Sequence, residues 1–321
     1  MKCSCLNIEF SNYWIYNSNM TIIKHDFNKN IDFIKFNDEI ICLIFANYEF
    51  IDHIIKSIDN IEFYDNKIYK KAQFNQPVNN LPQNLQTLTF GYKFNQPVNN
   101  LPQNLQTLTF GKKFNQPVNN LPQNLQILTF CDDFNCTVDN LPHGLLNLTF
   151  GYKFNQTVDN LPHGLLNLTF CCNFNQTVDN LPLGILNLIF CYEFNQPVDN
   201  LPLKILYLTF GYYFNHTVDN LPYGILSLTF DHNFNQQLDN LPNSIVSLEI
   251  ACKFDNRFSV FNKELNNLPN SIAHLKLYSY YEQEIKHIPS SLVELTCSSS
   301  YKFINNFKSN KIKFNFYESS L

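Results

Sequence analysis

The chain has 321 residues, of which 45% are hydrophobic and only 15% charged, so it has ample apolar material for a continuous core. Its formal net charge is −5 and it has no long basic run, which disfavours nucleic acid as a partner. Its ten cysteines are scattered without the spacing of a disulfide framework, as in a cytosolic protein that keeps its thiols reduced.

The first 26 residues are predicted to be an N-terminal cap. They lack the basic-then-apolar layout of a secretory signal. No apolar run in the sequence approaches the roughly 18–20 residues that a membrane span needs. We therefore expect a cytoplasmic protein with no membrane partner.

Residues 27–73 admit two interpretations. Their apolar residues recur at the offsets of the repeats that follow, which predicts degenerate repeats with a strand that buries Leu43 and Phe45 and exposes Ile44. Residues 36–45 are also similar to the core of the F-box. That resemblance implies helices and a substrate receptor that joins a ubiquitin ligase through a Skp1-like adaptor.

Nine near-identical blocks of 20 residues run head to tail from Phe74 to Lys253. The first two blocks differ only in having Tyr92 and Lys112 at the same position. Self-similarity at a fixed period predicts one supersecondary unit per block, stacked on its neighbours in a solenoid. A unit of 20 residues is too short for a strand, a full helix and two loops, so the convex side should be extended or 3₁₀-like.

The strand of each block is predicted from the pattern L-x-x-L-x-F, which in the first block covers residues 85–90. Strand alternation places Leu88 and Phe90 on the buried face. In the second block Pro102, which lacks an N–H, marks the return loop before Leu105 begins the next strand. The fold class is therefore a β-rich solenoid with parallel strands at the same place in every block.

Stacking aligns equivalent residues into columns. Phenylalanine fills two columns, from Phe74 to Phe234 and from Phe90 to Phe230. Successive rungs of a parallel sheet lie about 4.8 Å apart, a spacing that suits offset stacking of the rings. A third column is asparagine, and we expect its side chains to bond to loop backbone groups of adjacent rungs. These structural asparagines are Asn75, Asn95, Asn115, Asn135, Asn155, Asn175, Asn195, Asn215 and Asn235.

These repeats resemble a known family. The pattern L-x-x-L-x-F followed by F-N-x-x-V-x-x-L-P resembles the leucine-rich repeat. F-N-Q-P-V with L-P-x-N-L-x-x-L-x-F is similar to the FNIP repeat of social amoebae and giant viruses of amoebae, although typical FNIP repeats are slightly longer. The resemblance implies a parallel sheet on the concave face of a solenoid, no established biochemical activity and, for a viral chain, the host cytosol as its location.

Past Lys253 the pattern decays without vanishing. Residues 254–300 are predicted to be two degenerate repeats, the first beginning near Phe261 and the second near Tyr281. Residues 301–321 are predicted to be a C-terminal cap that covers the exposed edge of the sheet and core.

No pattern of catalytic or cofactor-binding residues is present. The eight glycines leave little room for a phosphate-binding loop, and no nucleophile elbow or His/Cys metal signature occurs. Cys171, Cys172 and Cys191 could approach one another on adjacent rungs as zinc ligands, but their columns fit small buried thiols better. We therefore expect no metal, no cofactor and no enzymatic activity.

The two positions that follow each strand vary while the core columns hardly change. By leucine-rich geometry they lie on the concave rim, where tyrosines are typical anchors of protein interfaces; drift at exposed positions would give the same variation. The candidate interaction residues are Tyr92, Lys93, Lys112, Lys113, Asp132, Asp133, Tyr152, Lys153, Tyr192, Glu193, Tyr212, Tyr213 and His232. The sequence thus predicts a scaffold that binds a protein partner on its concave face, with the F-box receptor as the alternative.

Overall fold

The computed structural model describes residues 13–17, 20–23, 28–29, 31, 40–45, 72–250, 260–277, 281–307 and 312–317. The chain divides into two compact units, Met1–Phe154 and Asn155–Leu321. Each unit is a solenoid whose rungs contribute one short strand to a sheet, which confirms the predicted fold class. No helix in the described part of the chain has the length and apolar character needed to cross a membrane.

Seven strands lie in the described residues of the first unit. The first two strands form an antiparallel pair, and each later strand is parallel to the one before it. The strands are β1 (Tyr13–Asn17), β2 (Met20–Ile23), β3 (Cys42–Phe45), β4 (Thr87–Thr89), β5 (Thr107–Thr109), β6 (Ile127–Thr129) and β7 (Asn147–Thr149).

The described part of the second unit contains eight strands, and each strand pairs in parallel with the next. The strands are β8 (Asn167–Phe170), β9 (Asn187–Phe190), β10 (Tyr207–Thr209), β11 (Ser227–Phe230), β12 (Ser247–Ile250), β13 (His274–Leu277), β14 (Glu294–Ser298) and β15 (Lys313–Tyr317). A 3₁₀ helix, Ile304–Phe307, precedes the last strand.

The strands of the repeats are shorter than the predicted six residues. In the first block the backbone N–H of Leu85 donates to the Pro82 carbonyl at 3.2 Å, so Leu85 still belongs to the turn before the strand. The central leucine of each strand fixes the register, because Leu88 pairs with Leu108 and both are completely buried. The rest of each repeat consists of three two-residue turns joined by extended segments, as the convex side was predicted to be.

Two columns of phenylalanine form the core, as predicted. Within one rung the rings of Phe90 and Phe94 stack with their centroids 3.7 Å apart. Between rungs Phe90 stacks on Phe110 at 5.7 Å, and Phe94 stacks on Phe114 at 6.1 Å. These rings are essentially inaccessible to water, and their burial supplies much of the stabilisation of each rung.

Strand β3 shows how the regular repeats begin. Cys42–Phe45 is parallel to β2 and β4, with Leu43 opposite Leu88, and Phe45 stacks on Phe74 at 4.1 Å. The F-box interpretation requires helical structure, so it is wrong for these four residues; residues 32–39 and 46–71 lie outside the described part of the chain. The expectation that Ile44 is exposed is also wrong, since only 2% of it is accessible.

Beyond the regular repeats, tyrosine continues the phenylalanine column. Phe261 stacks on Phe234 and Tyr281 on Phe261, each pair at 6.0 Å. The Tyr281 hydroxyl donates to the Lys263 carbonyl at 3.0 Å, and the Tyr301 hydroxyl donates to the Gln283 carbonyl at 2.9 Å. Each added hydroxyl thus finds an acceptor, and burial raises the pKa of Tyr301 to about 12.

Candidate interaction surface

The loop that leaves each strand is tightly held by backbone contacts. The backbone N–H of Lys113 donates to the Tyr92 carbonyl of the preceding rung at 2.9 Å. A Cβ added at Gly111 would lie 1.8 Å from the Gly91 carbonyl oxygen, so the two loops touch backbone to backbone. The loops are therefore rigid platforms from which the two variable side chains of each rung project.

In the first unit these side chains form a network of ion pairs. Lys112 pairs with Asp132 at 2.6 Å, while Asp133 is held between Lys113 at 2.7 Å and Lys153 at 2.8 Å. Hydrogen bonds from Lys113 and Lys153 lower the pKa of Asp133, and Asp132 raises the pKa of Lys112. Because the lysines are about half exposed, solvent screens each pair and it contributes little to stability.

This charged network borders a shallow depression of about 660 Å³. Its lining comprises three residues of the network, four of the asparagine column and two further loop residues: Lys113, Asp133, Lys153, Asn75, Asn95, Asn115, Asn135, Tyr92 and Lys93. Lysines outnumber carboxylates there, so the depression is mildly basic. It contains no buried nucleophile or paired general acid, which suits recognition of a polar surface better than catalysis.

In the second unit the same loops carry aromatic side chains. Tyr192 stacks on Tyr212 with ring centroids 4.8 Å apart, and Tyr212 stacks on His232 at 4.7 Å. Tyr213 meets both tyrosines edge-on, at 5.2 and 4.9 Å. Mutual stacking fixes the rings without burying them, so their edges stay available for contacts.

The predicted surface residues therefore fall into two chemically different groups. Eight belong to the first unit, where Lys–Asp pairs dominate, and five belong to the second, where the stacked aromatic rings dominate. Tyr152 is half exposed, and Glu193 points into solvent. Their role in binding stays a prediction.

The asparagine column forms a directional ladder of hydrogen bonds. The Oδ1 atom of Asn75 accepts the backbone N–H of Asn95 at 2.8 Å, and the same bond recurs at 2.9 Å from Asn115 to Asn95. In the second unit Asn175 donates its N–H to Asn155 at 3.0 Å. The side chains are half-buried or exposed rather than buried, because each needs to reach only the loop of the next rung.

Three half-buried cysteines of the second unit, Cys171, Cys172 and Cys191, lie on adjacent rungs. A hydrogen bond with Cys171, together with burial, raises the pKa of Cys191, so the thiol stays protonated at neutral pH. Among the described residues, no group of three or more His, Cys, Asp or Glu side chains is placed to hold a metal ion. The prediction of fully buried thiols is wrong, since Cys171, Cys172 and Cys191 are each half-buried.

Sequence reasoning missed two exposed apolar sets in the second unit. Ile189 and Tyr207 project from the outer face of their strands, and Tyr207 is 50% exposed. Leu183, Leu203 and Tyr223 lie in the loop that precedes each strand and are 75%, 59% and 74% exposed. Both sets could have been found from the sequence, because each contains apolar residues at repeat positions that are polar in most other repeats.

Comparison with known proteins agrees with this architecture. The FNIP Repeat family matches the chain at residues 74–113, 97–133, 114–153, 214–253 and 261–300. Among solved structures the chain is similar to CroV588, a circular leucine-rich-repeat protein of a giant virus, with 31% identity and a TM-score of 0.64. That alignment covers 96% of this chain and 52% of CroV588.

A second solved structure, YopM from Yersinia enterocolitica WA-314, is 21% identical over 67% of this chain and 51% of YopM, with a TM-score of 0.44. The chain thus spans about half the length of these two proteins. No curated protein matches it. The phenylalanine and asparagine columns, the 20-residue rungs and the family matches lead to one conclusion: the chain belongs to the FNIP-repeat family of leucine-rich-repeat-like solenoids.

Proposed function

We propose that the chain is a non-enzymatic scaffold that binds a protein partner on the strand face and the strand-exit loops, the concave face of leucine-rich-repeat proteins. Solenoids of this kind typically mediate protein–protein interaction and are typically not enzymes. Their extended sheet offers many rungs to one partner at the same time.

The observation that carries the proposal is the group of exposed aromatic and apolar side chains on this face of the second unit. Tyr207 and Ile189 lie on neighbouring strands, β10 and β9, and both project outward. Tyr213 follows β10 in the same rung, within the stack that it forms with Tyr192 and Tyr212. Tyrosines that are already held in place lose little conformational entropy on binding, which favours them as interface anchors.

Rung-matched substitution tests the proposal without disturbing the fold. Each exposed residue is replaced by one that the chain itself uses in the same column: Ile189→Thr, Tyr207→Ser and Tyr213→Lys. The full chain and this triple variant are used to capture partners from an amoebal lysate, with identification by mass spectrometry. A partner held by the parent chain is expected to be lost from the triple variant.

A second variant controls for nonspecific binding by exposed aromatic side chains. Lys112→Tyr reproduces the residue of the preceding block and adds an aromatic side chain in the first unit. It should leave capture of the same partner unchanged. Equal capture by the parent chain and the triple variant would refute the strand face of the second unit as the binding surface.

A further inference from the structure

The loops that precede the strands of the second unit carry a second exposed apolar surface. Leu183, Leu203 and Tyr223 occupy one column on successive rungs, in the two-residue turn before each strand. Three residues further along each rung, a parallel column is entirely aliphatic and half-buried or exposed. That column consists of Leu166, Leu186, Leu206, Leu226 and Val246. Exposed apolar side chains that continue over several rungs mark an interaction site rather than ordinary surface.

A row of carboxylates lies four residues before the turn column along the chain. It consists of Asp159, Asp179, Asp199, Asp219 and Asp239, one per rung and all exposed. Each accepts a hydrogen bond from an asparagine of the next rung, for example from Asn200 to Asp179 at 3.1 Å. None of the ion pairs among the described residues involves these five carboxylates. Like charges about 4.8 Å apart repel one another, and a cationic partner would relieve that repulsion.

The first unit shows that the fold itself requires neither feature. In its first three blocks the carboxylate column holds Asn79, Asn99 and Asn119, which are neutral. The apolar turn column holds glutamine there, and the aliphatic column also holds glutamine. These columns can therefore be polar without loss of the fold, so the acidic and apolar residues, which begin with Asp139 and Leu146 in the fourth block and continue through the second unit, are not required by it.

From this juxtaposition we propose that the acidic–apolar strip of the second unit binds a cationic amphipathic helix of a partner protein. The strip consists of the five aspartates, Asp159, Asp179, Asp199, Asp219 and Asp239, together with Leu183, Leu203 and Tyr223. The surface lies on the loops before the strands, so it is distinct from the strand face of the proposed function. A helix that packs its apolar side on the leucines and extends lysine or arginine toward the carboxylates satisfies both columns.

The dimensions of the strip suit that occupant. Asp179 and Leu183 are four residues apart in the chain, so their Cα atoms are separated by at most about 14 Å. A helix with its side chains is roughly 10–12 Å across and can contact both columns at the same time. Five rungs spaced about 4.8 Å apart cover about 19 Å, the length of roughly 13 helical residues. Lys204, next to Leu203, is a cation within an otherwise acidic surface.

The test uses the full chain and a fluorescein-labelled 18-residue peptide of leucine and lysine, patterned as an amphipathic helix. Two comparison peptides keep its length: one has the same composition in scrambled order, and one has glutamate in place of lysine. Fluorescence anisotropy gives each affinity at low and high salt. The Leu/Lys helix should bind at least tenfold more tightly than either comparison peptide, and salt should weaken its binding.

Two triple variants locate the site, because each installs residues that the chain already uses in the same columns. Leu183→Gln, Leu203→Gln and Tyr223→Gln together should weaken the peptide at least tenfold. Asp179→Asn, Asp199→Asn and Asp219→Asn together should weaken it similarly and remove most of its salt dependence. Gln176→His, which installs the residue that the chain has at 216 in the same column, lies outside both surfaces; it serves as the control and should leave the affinity within twofold.

Several results would overturn the proposal. The proposal is refuted if the Leu/Lys helix does not bind at 100 µM peptide. Equal binding of the scrambled peptide would also refute it, because binding would then depend on charge alone. An unchanged affinity in the glutamine triple variant, with its thermal melt intact, would also do so. Binding of the chain to phosphatidylcholine vesicles that the glutamine triple variant abolishes would instead assign the strip to a membrane. Failure of this strip leaves the capture experiment on the strand face untouched, since the two use different variants.

Discussion

The asparagine ladder can be tested at one rung with Asn175→Leu. This change keeps the volume but removes Oδ1, which accepts the backbone N–H of Asn195 at 2.9 Å and the side-chain amide of Gln196 at 3.0 Å. Gln196 retains its bond to the Asn175 carbonyl at 3.2 Å, so the Asn195 N–H is the group left without its acceptor. A buried unsatisfied donor costs roughly 1–3 kcal/mol, and the exposure of Asn195 lets water offset part of that cost.

We therefore expect a loss of about 1–2 kcal/mol in the free energy of unfolding, which corresponds to a fall of roughly 2–8 °C in Tm for a unit of this size. Thermal melts measure the total effect, and hydrogen exchange of the Asn195 amide measures the local one. The matched control is Asn173→Leu, the same change two residues away in a column with no fixed residue type. A parent-like melt and parent-like exchange for Asn175→Leu, with a lower Tm for Asn173→Leu, would refute the structural role of the column.

Three further predictions concern the core, the acid response and the N-terminal strand. Phe110→Ala removes a fully buried ring and should cost about 3–5 kcal/mol in urea denaturation, against less than about 1 kcal/mol for the exposed Phe316→Ala. Hydrogen bonds, the one from Asn315 first, lower the pKa of Glu294 to about 2. The stability contributed by this carboxylate is therefore fully present above its ordinary pKa of 4.5 and is lost as the pH falls toward 2, a loss that Glu294→Gln should reduce in acid titration. Ile44→Asp places a charge in the core and should lower Tm, with no Skp1-like adaptor to lose; capture of such an adaptor by the parent chain would contradict this.

Most of the fold could be predicted because the same pattern of apolar and polar residues recurs in nine consecutive blocks. Strand alternation in one block placed Leu88 and Phe90 in the core, and every other block repeats that placement. Strand length was harder to predict, since the turn bond from Leu85 to Pro82 takes two residues from the predicted strand. Strand alternation predicts that Ile44 is exposed, but the structure buries it. Its exposure depends on tertiary packing, which a local sequence pattern does not specify.

The interaction surface could be predicted only in part. Variation after the strands drew attention to Tyr192 and Tyr212, and the structure stacks these rings. Leu183 and Leu203 were overlooked because leucine in a leucine-rich chain reads as core. Only the turn geometry, which directs residue 183 outward between buried Pro182 and Ile185, reveals that they face solvent.

The directional asparagine ladder also bears on how such a chain changes length over generations. The asparagine of each rung accepts a hydrogen bond from the backbone of the following rung, and the backbone of each rung donates to the asparagine of the preceding one. Any rung can therefore form the same bond with any other rung placed next to it. When a copying error inserts or deletes one whole 20-residue block, the rungs on either side of the change can still form the ladder bond with each other. An insertion or deletion of any other length shifts the equivalent residues of neighbouring rungs out of alignment. The near-identity of residues 74–93 and 94–113 is what a recent error of the tolerated size would leave behind. Selection on a partner can then act on the number of rungs as readily as on any single side chain.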